Sequence, residues 1–154
     1  MKNIELKYIS LTKVDPSDFK ALLNKQKTRE HLVEHDLFDS KRLKSWIEEK
    51  LEMDRVKGCK VRGILANDIF AGWCGIQYLD EQYEIAIVLD PKYWGLGIRV
   101  FKDVMRWAKE LGHDVVFIHL LHTRPEYKFL RKVAQEVYYT NQLGSEFTTY
   151  KLNV

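Results

Sequence analysis

The sequence predicts one mixed α/β domain with the element order β-α-α-β-β-β-α-β-α-β-β. Three observations predict it. Two capped amphipathic stretches precede Gly58, a run of short apolar segments parted by turn dipeptides follows it, and residues 84–112 read as strand, glycine turn and long helix. At 154 residues the chain is long enough for one core of its own, so a single domain spans 1–154.

Taken in order, Ile4, Leu6 and Tyr8 alternate with polar neighbours and predict a first strand with one wet face or at a sheet edge. Asp15-Pro16-Ser17-Asp18 then supplies a cap and an early proline for a helix that carries Phe19, Leu22 and Leu23 on one face. Asp39 and Ser40 cap a second helix with a stripe of Leu43, Trp46, Ile47, Lys50 and Leu51. Residues 28–39 between them are polar and poorly periodic. Strands follow at 60–66 and 69–78, joined by an Asn67-Asp68 hairpin turn, and Asp80-Glu81-Gln82 turns into a third antiparallel strand at 84–89. Residues 114–121 form another strand, parallel to 84–89 because it follows a strand-helix unit. Thr123, Pro125 and Glu126 fit a capping box for a last helix carrying Phe129, Leu130 and Val133, and 136–139 with 146–152 close the chain as a hairpin.

Residues 84–112 organise the rest. Asp90-Pro91 stops the strand, Lys92-Tyr93-Trp94-Gly95-Leu96-Gly97 turns the chain, and Val100, Val104, Ala108 and Leu111, widened by Phe101, Met105 and Trp107, repeat at helical spacing up to a Gly112 cap. A glycine pair opening a helix lets bare backbone N–H groups approach a ligand, and the helix N-terminus adds partial positive charge. Phosphate is the natural guest. The nucleotide P-loop is excluded because no Gly-Lys-Ser/Thr follows, and the dinucleotide fingerprint is excluded because Val100 stands where its third glycine or alanine belongs.

Composition removes other classes. The net charge of +3 is small and the basic residues are interspersed with acids, which gives no nucleic-acid stripe. Apolar runs are too short to span a membrane, and Lys2, Glu5 and Lys7 break any signal-peptide pattern. Cys59 and Cys74, without CxxC spacing, fit reduced thiols in the cytoplasm.

The segment from Lys92 to Gly97 resembles the Q/R-x-x-G-x-G/A acyl-CoA loop of the GNAT superfamily of N-acetyltransferases, with Lys92 replacing Gln or Arg. The element order is also that of the GNAT fold, and the resemblance covers nearly the full chain. Phe70-Ala71-Gly72-Trp73-Cys74-Gly75-Ile76-Gln77 with Tyr93-Trp94-Gly95 looks like the branch that includes N-terminal acetyltransferases of ribosomal proteins.

This resemblance implies transfer of an acetyl group from acetyl-CoA, without a metal, to the primary amine of a small molecule or a protein N-terminus. It implies a cofactor site of Val88, Leu89, Asp90, Lys92, Tyr93, Trp94, Gly95, Leu96, Gly97, Ile98 and Arg99. Backbone at Val88, Leu89 and Asp90 would pair with pantetheine, an N–H near Leu89 would polarise the thioester, and Arg99 would meet phosphate by charge. Glu84 stands where several members keep a general base, on a face shared with Ala86 and Val88 that would raise its pKa; a solvated carboxylate at a polar hairpin end is the other reading. The acid departs from the pattern: Leu130 replaces the usual tyrosine and Val133-Ala134-Gln135 replaces the Gly-Phe pair, which leaves Tyr127 as the substitute and His119 and His122 as further proton carriers. His31, Glu34 and Trp46 border the expected acceptor site, and Trp73 and Trp94 are candidates to flank the cofactor. Tyr138, Tyr139 and Tyr150 would serve a contact if the chain is a homodimer rather than a monomer.

Two alternatives stand beside this. One is an acyl-CoA-binding module that keeps the fold without catalysis. The other is a zinc hydrolase, because His31-Leu32-Val33-Glu34-His35 matches H-x-x-E-H, although no third-ligand motif follows.

Overall fold

A computed structural model describes residues 3–25, 28, 37–122, 127–142 and 144–154. Strands β1 (Leu6–Ile9), β2 (Lys60–Ala66), β3 (Ile69–Leu79), β4 (Gln82–Leu89), β5 (Val115–Leu121), β6 (Glu136–Gln142) and β7 (Ser145–Asn153) form one sheet in the order β1-β2-β3-β4-β5-β7-β6. The helices are α1 (Pro16–Asn24), α2 (Ser40–Asp54), α3 (Gly97–Glu110) and α4 (Lys128–Val133), so the described elements follow the expected order. Local chemistry places their ends. The carboxylates of Asp15 and Asp39 accept from Ser17 N and Arg42 N at the starts of α1 and α2, and Gly112 leaves α3 at φ +86°.

Both predicted hairpin turns are mirror-type turns with two residues at positive φ: Asn67 (+50°) and Asp68 (+65°), then Asp80 (+49°) and Glu81 (+64°). β2, β3 and β4 pair antiparallel, and β4 meets β5 in parallel. The closing hairpin is longer than its sequence pattern, because Glu136–Gln142 and Ser145–Asn153 pair up to Gln142 and Ser145. β7 lies between β5 and β6. The residues of the expected capping box, Thr123, Pro125 and Glu126, lie outside the described residues.

The sheet separates two cores. On one face Val100, Phe101, Val104, Trp107 and Ala108 of α3 and Leu130 of α4 pack on Ile85, Leu89, Val116, Ile118 and Leu120. On the other, Phe19, Leu22 and Leu23 of α1 and Leu43 of α2 pack on Val61 and Trp73, with Ala86 and Val88 beside them. The twofold alternation of a strand therefore sends Glu84, Ala86 and Val88 to the α1–α2 face and Ile85, Ile87 and Leu89 to the α3 face. Tyr150 is 1% exposed in the α3 core, which removes it from any surface contact, while Tyr139 is exposed. No helix among the described residues is long and apolar enough to cross a membrane.

Candidate active site

The site begins with a failure of pairing. β4 and β5 are matched at one position, Glu84 with Phe117, and then part. Each strand follows its other neighbour: Asp90 N still donates to Ala71 O on the β3 side (2.7 Å), while β5 stays in register with β7 from Val115 to Leu121. Two halves of a twisted sheet that each keep their own partner must diverge where their shared pairing stops. The gap opens into a cleft of about 760 Å³ that runs from Gly95 and Gly97 to Glu84, with Trp46, Trp73 and Tyr127 among its lining residues.

At the glycine end, Asp90 shapes the turn. Its carboxylate accepts from Lys92 N (3.2 Å) at the head of the 3-10 turn Pro91–Leu96 and pairs with Lys25. The Trp94 indole N–H donates to Leu89 O (2.9 Å), which ties the turn back to the diverging strand. α3 then starts without a side-chain cap and without an acid in its first turn. The Gly97 N–H already donates to Trp94 O, so the N–H groups that follow it are the ones left for an acceptor, and an anion would serve. Gly97 has ordinary helical angles (φ −55°, ψ −42°), and a Cβ built on it would meet nothing within 4 Å. Neither backbone conformation nor internal packing requires glycine there, so the open volume above it is the feature that a side chain longer than a methyl would fill.

At the other end, Glu84 lies on the α1–α2 face with its side chain 15% exposed. Burial, reinforced by the charge of Asp80 and opposed by Lys50, pushes its pKa up from 4.5 to about 7. His119 Nε2 lies 3.3 Å from Glu84 Oε1, near enough for electrostatic contact but without hydrogen-bond alignment. The imidazole Nδ1 meets Thr149 Oγ1 at 2.6 Å, and Thr149 Oγ1 meets Thr140 Oγ1 at 2.8 Å. Burial holds His119 below the ordinary histidine pKa, with Asp80 opposing, so the ring is neutral at neutral pH. A neutral ring leaves the raised pKa of Glu84 in place.

The expected site residues separate into groups. Glu84, Val88, Leu89, Trp94, Gly95, Gly97, Ile98, Tyr127 and Trp46 all line the cleft. Others point elsewhere. Leu96 is 1% exposed within the α3 core, Lys92 Nζ lies over the Tyr93 ring at 5.2 Å, and Asp90 is occupied as a cap. The Arg99 guanidinium donates to Ile4 O (2.9 Å), which commits it to the start of β1 instead of to the cleft. His122 is exposed and sits on Glu146 O, away from Glu84. His31, Glu34 and His35 lie outside the described residues. Among the described residues, no group of three or more His, Cys, Asp or Glu side chains is placed to hold a metal ion.

The cleft also collects residues that sequence reasoning passed over as site residues. Lys50 of α2 donates to Gln77 Oε1 (2.6 Å), and Gln77 stands directly opposite Glu84 across β3 and β4. The stripe of α2 and the run 70–77 contained both residues, but their meeting depends on how α2 is rotated over the sheet. Thr149 escaped for a similar reason, since its contact with His119 follows from the β5–β7 register.

A family model described as an acetyltransferase (GNAT) domain matches residues 9–126. The chain belongs to the GNAT acetyltransferase family. It is an acyltransferase by that membership, and the mixed sheet split between β4 and β5 is its fold. No curated protein matches it by sequence. Among solved structures, it is similar to a spermidine N-acetyltransferase from Vibrio cholerae in complex with CoA and spermine (11% identity, TM-score 0.68, 97% of this chain and 95% of that one covered). It is also similar to PaiA N-acetyltransferase from Thermoplasma acidophilum in complex with coenzyme A (16%, 0.62, 99% and 99%). A third is the Campylobacter jejuni N-acetyltransferase PseH in complex with acetyl coenzyme A (14%, 0.60, 97% and 98%). At these identities the likeness concerns the fold.

Proposed function

We propose that this GNAT domain transfers an acetyl group from acetyl-CoA to a primary amine, with Glu84 as general base. One observation carries the reading: a single cleft joins the bare backbone at Gly95 and Gly97 to the half-buried carboxylate of Glu84. The residues present fit the cofactor. The open volume over Gly97 and the uncapped N–H groups of α3 suit a pyrophosphate, and the edge of β4 that β5 does not cover suits a strand-like amide arm. Acetyl-CoA, when bound, supplies the acetyl group as an activated thioester.

The chain's own groups then have distinct work. Leu89, beyond the last β4–β5 pair, offers its N–H to the carbonyl oxygen that gains charge during attack. Glu84 takes the proton of the acceptor ammonium, and a pKa of about 7 suits a base that must be ionised yet still basic near neutrality. His119, held by Thr149, keeps the wall beside that carboxylate in place. Tyr127 borders the cleft and is the hydroxyl assigned to the departing sulfur. Trp46 forms part of the acceptor wall.

Calorimetry with acetyl-CoA, paired with a thiol-release assay over an amine library, tests the proposal. Binding with turnover supports it. Binding without turnover on any amine would favour the non-catalytic module of the same fold, and absence of binding by folded protein would sink the cofactor assignment.

A further inference from the structure

Of the two lysines that line the cleft and that the proposed chemistry leaves unused, Lys128 is exposed and Lys50 is the one drawn inward. It comes from α2 and is partly buried, with Nζ 2.6 Å from Gln77 Oε1, 4.9 Å from the Trp73 ring centroid and 5.6 Å from that of Trp46. It forms no ion pair with any described carboxylate. A lysine ammonium has three donors, and the one hydrogen bond here goes to a neutral amide.

Three more groups of the same cleft are unsatisfied. The Trp73 indole N–H is buried and has no acceptor among the described residues, buried Thr28 Oγ1 has no partner among them either, and His119 Nε2 beside Glu84 has no aligned hydrogen bond. Buried polar groups are almost always paired, so four under-satisfied groups lining one cleft call for an outside partner. A lysine ammonium and an indole are donors only, which specifies a partner rich in acceptors. A carboxylate meets that description.

We infer that the acceptor is a compact primary amine carrying its own carboxylate, seated with the carboxylate on Lys50 and the amine at Glu84. This rests on the acetyltransferase reading above and names its substrate class. The register sets the scale. Gln77 and Glu84 are directly paired, and side chains so placed start roughly 4.5–5.5 Å apart, so a molecule a few bonds long reaches from the Lys50–Gln77 pair to the base. The polarity sets the direction, since a polyamine would bring a second ammonium against Lys50. Burial lowers the Lys50 pKa, and Glu49 and Glu84 offset this only in part; a bound carboxylate supplies the missing countercharge.

The test compares amines that differ only in their far end: γ-aminobutyrate, butylamine and diaminobutane, with glycine and β-alanine to vary length, all in the thiol-release assay with acetyl-CoA. The best amino acid is expected to exceed the alkylamine of its own length in kcat/KM by about 10- to 100-fold, the factor carried by one charge-assisted hydrogen bond. Lys50→Met is expected to bring that ratio to about one, and Lys50→Arg to keep most of it. Acetyl-CoA affinity measured on both variants shows that they are folded. Equal or better use of butylamine or diaminobutane by the unmodified protein would overturn the inference, as would a ratio indifferent to Lys50→Met. Turnover of a peptide with an acidic N-terminal residue, while the small amino acids stay inert, would overturn it in favour of a protein acceptor. Those results leave the acetyltransferase reading standing, whereas failure to bind acetyl-CoA, or to release thiol with any amine, overturns both.

Discussion

Replacing Gly97 with alanine and with glutamate separates folding from cofactor binding. The residue has φ −55° and ψ −42°, and an added Cβ meets no atom within 4 Å, so the folded state accommodates the methyl without strain. Alanine also narrows the unfolded ensemble, which stabilises by about 0.4–1 kcal/mol at a compatible position. For a chain of this size that raises Tm by about 1–4 °C. The loop pattern itself admits alanine at this position, so the methyl is expected to leave cofactor affinity nearly unchanged, whereas Gly97→Glu puts a carboxylate into the space assigned to phosphate at the α3 N-terminus. Displacing the phosphate from one backbone N–H forfeits a charge-assisted hydrogen bond worth about 1.5–3 kcal/mol, or roughly 10- to 100-fold in Kd. Differential scanning fluorimetry and calorimetry with acetyl-CoA read both effects on each variant. Higher Tm with unchanged binding is expected for Gly97→Ala, and weaker binding by folded protein for Gly97→Glu. Unchanged Kd in Gly97→Glu would refute the placement of the phosphates, and lower Tm in Gly97→Ala would refute the open geometry itself.

The other expectations concern charge, packing and metal. Glu84→Gln is expected to lower thiol release by about 10²–10⁴-fold, and the unmodified enzyme to gain activity as pH rises through about 7, where the carboxylate forms; a flat pH profile would remove Glu84 as the base. The stability effect has the opposite sense. Burial raises the pKa from 4.5 to about 7, so between those values the folded protein holds a proton that the unfolded chain has lost, and stability falls as pH climbs through that window. Glu84→Gln should therefore melt higher than the parent above pH 7 and converge with it below pH 4.5, and the reverse order would show that burial is not the cause. Gly72→Ala places a Cβ 2.0 Å from Val88 O at φ +156°, so urea unfolding should show a loss of about 3 kcal/mol or more; a near-neutral result would contradict the close approach of β3 to β4. Metal analysis of purified protein is expected to find no stoichiometric zinc, and zinc lost specifically in His31→Ala would revive the H-x-x-E-H reading.

The fold was legible in the sequence wherever one local rule set one local outcome. Asn67-Asp68 and Asp80-Glu81-Gln82 announced turns between antiparallel strands, and the tight turns that form there fixed the registers of β2, β3 and β4 through Glu84 with Gln77. The apolar repeat from Val100 to Ala108 fixed the buried face of α3. The site was legible only as far as it is sequential. Gly95, Gly97, Leu89 and Glu84 belong to one strand-turn-helix unit, and the cleft contains all four. Arg99 belongs to the same unit, yet its destination depends on Ile4, ninety-five positions away, and no periodicity reports that. Lys50 was likewise visible as part of a helical stripe, but its meeting with Gln77 is set by helix rotation and by the cation-π contacts to Trp46 and Trp73. His119 needed the single Glu84–Phe117 pairing to bring it beside the base.

The placement of Lys50 and Glu84 bears on the substrate as well as on legibility. Each is a charge withdrawn from water, and each has its pKa displaced against its charged form by burial. A hydrophobic residue of similar size at either position would usually cost the fold less. The two influence one another, since each is a compensating cause in the other's displacement, but they form no ion pair. An ion pair would have neutralised both and left the cleft with no polarity. Kept apart on α2 and β4, the cation and the base present opposite preferences to the two ends of a bound molecule. Under that arrangement, an acceptor with positive charge at both ends satisfies only Glu84, and one with an ammonium at one end and a carboxylate at the other satisfies both groups. The cost of the two buried charges is then offset when the acceptor binds, which places the energy of the site in recognition instead of in the stability of the free protein.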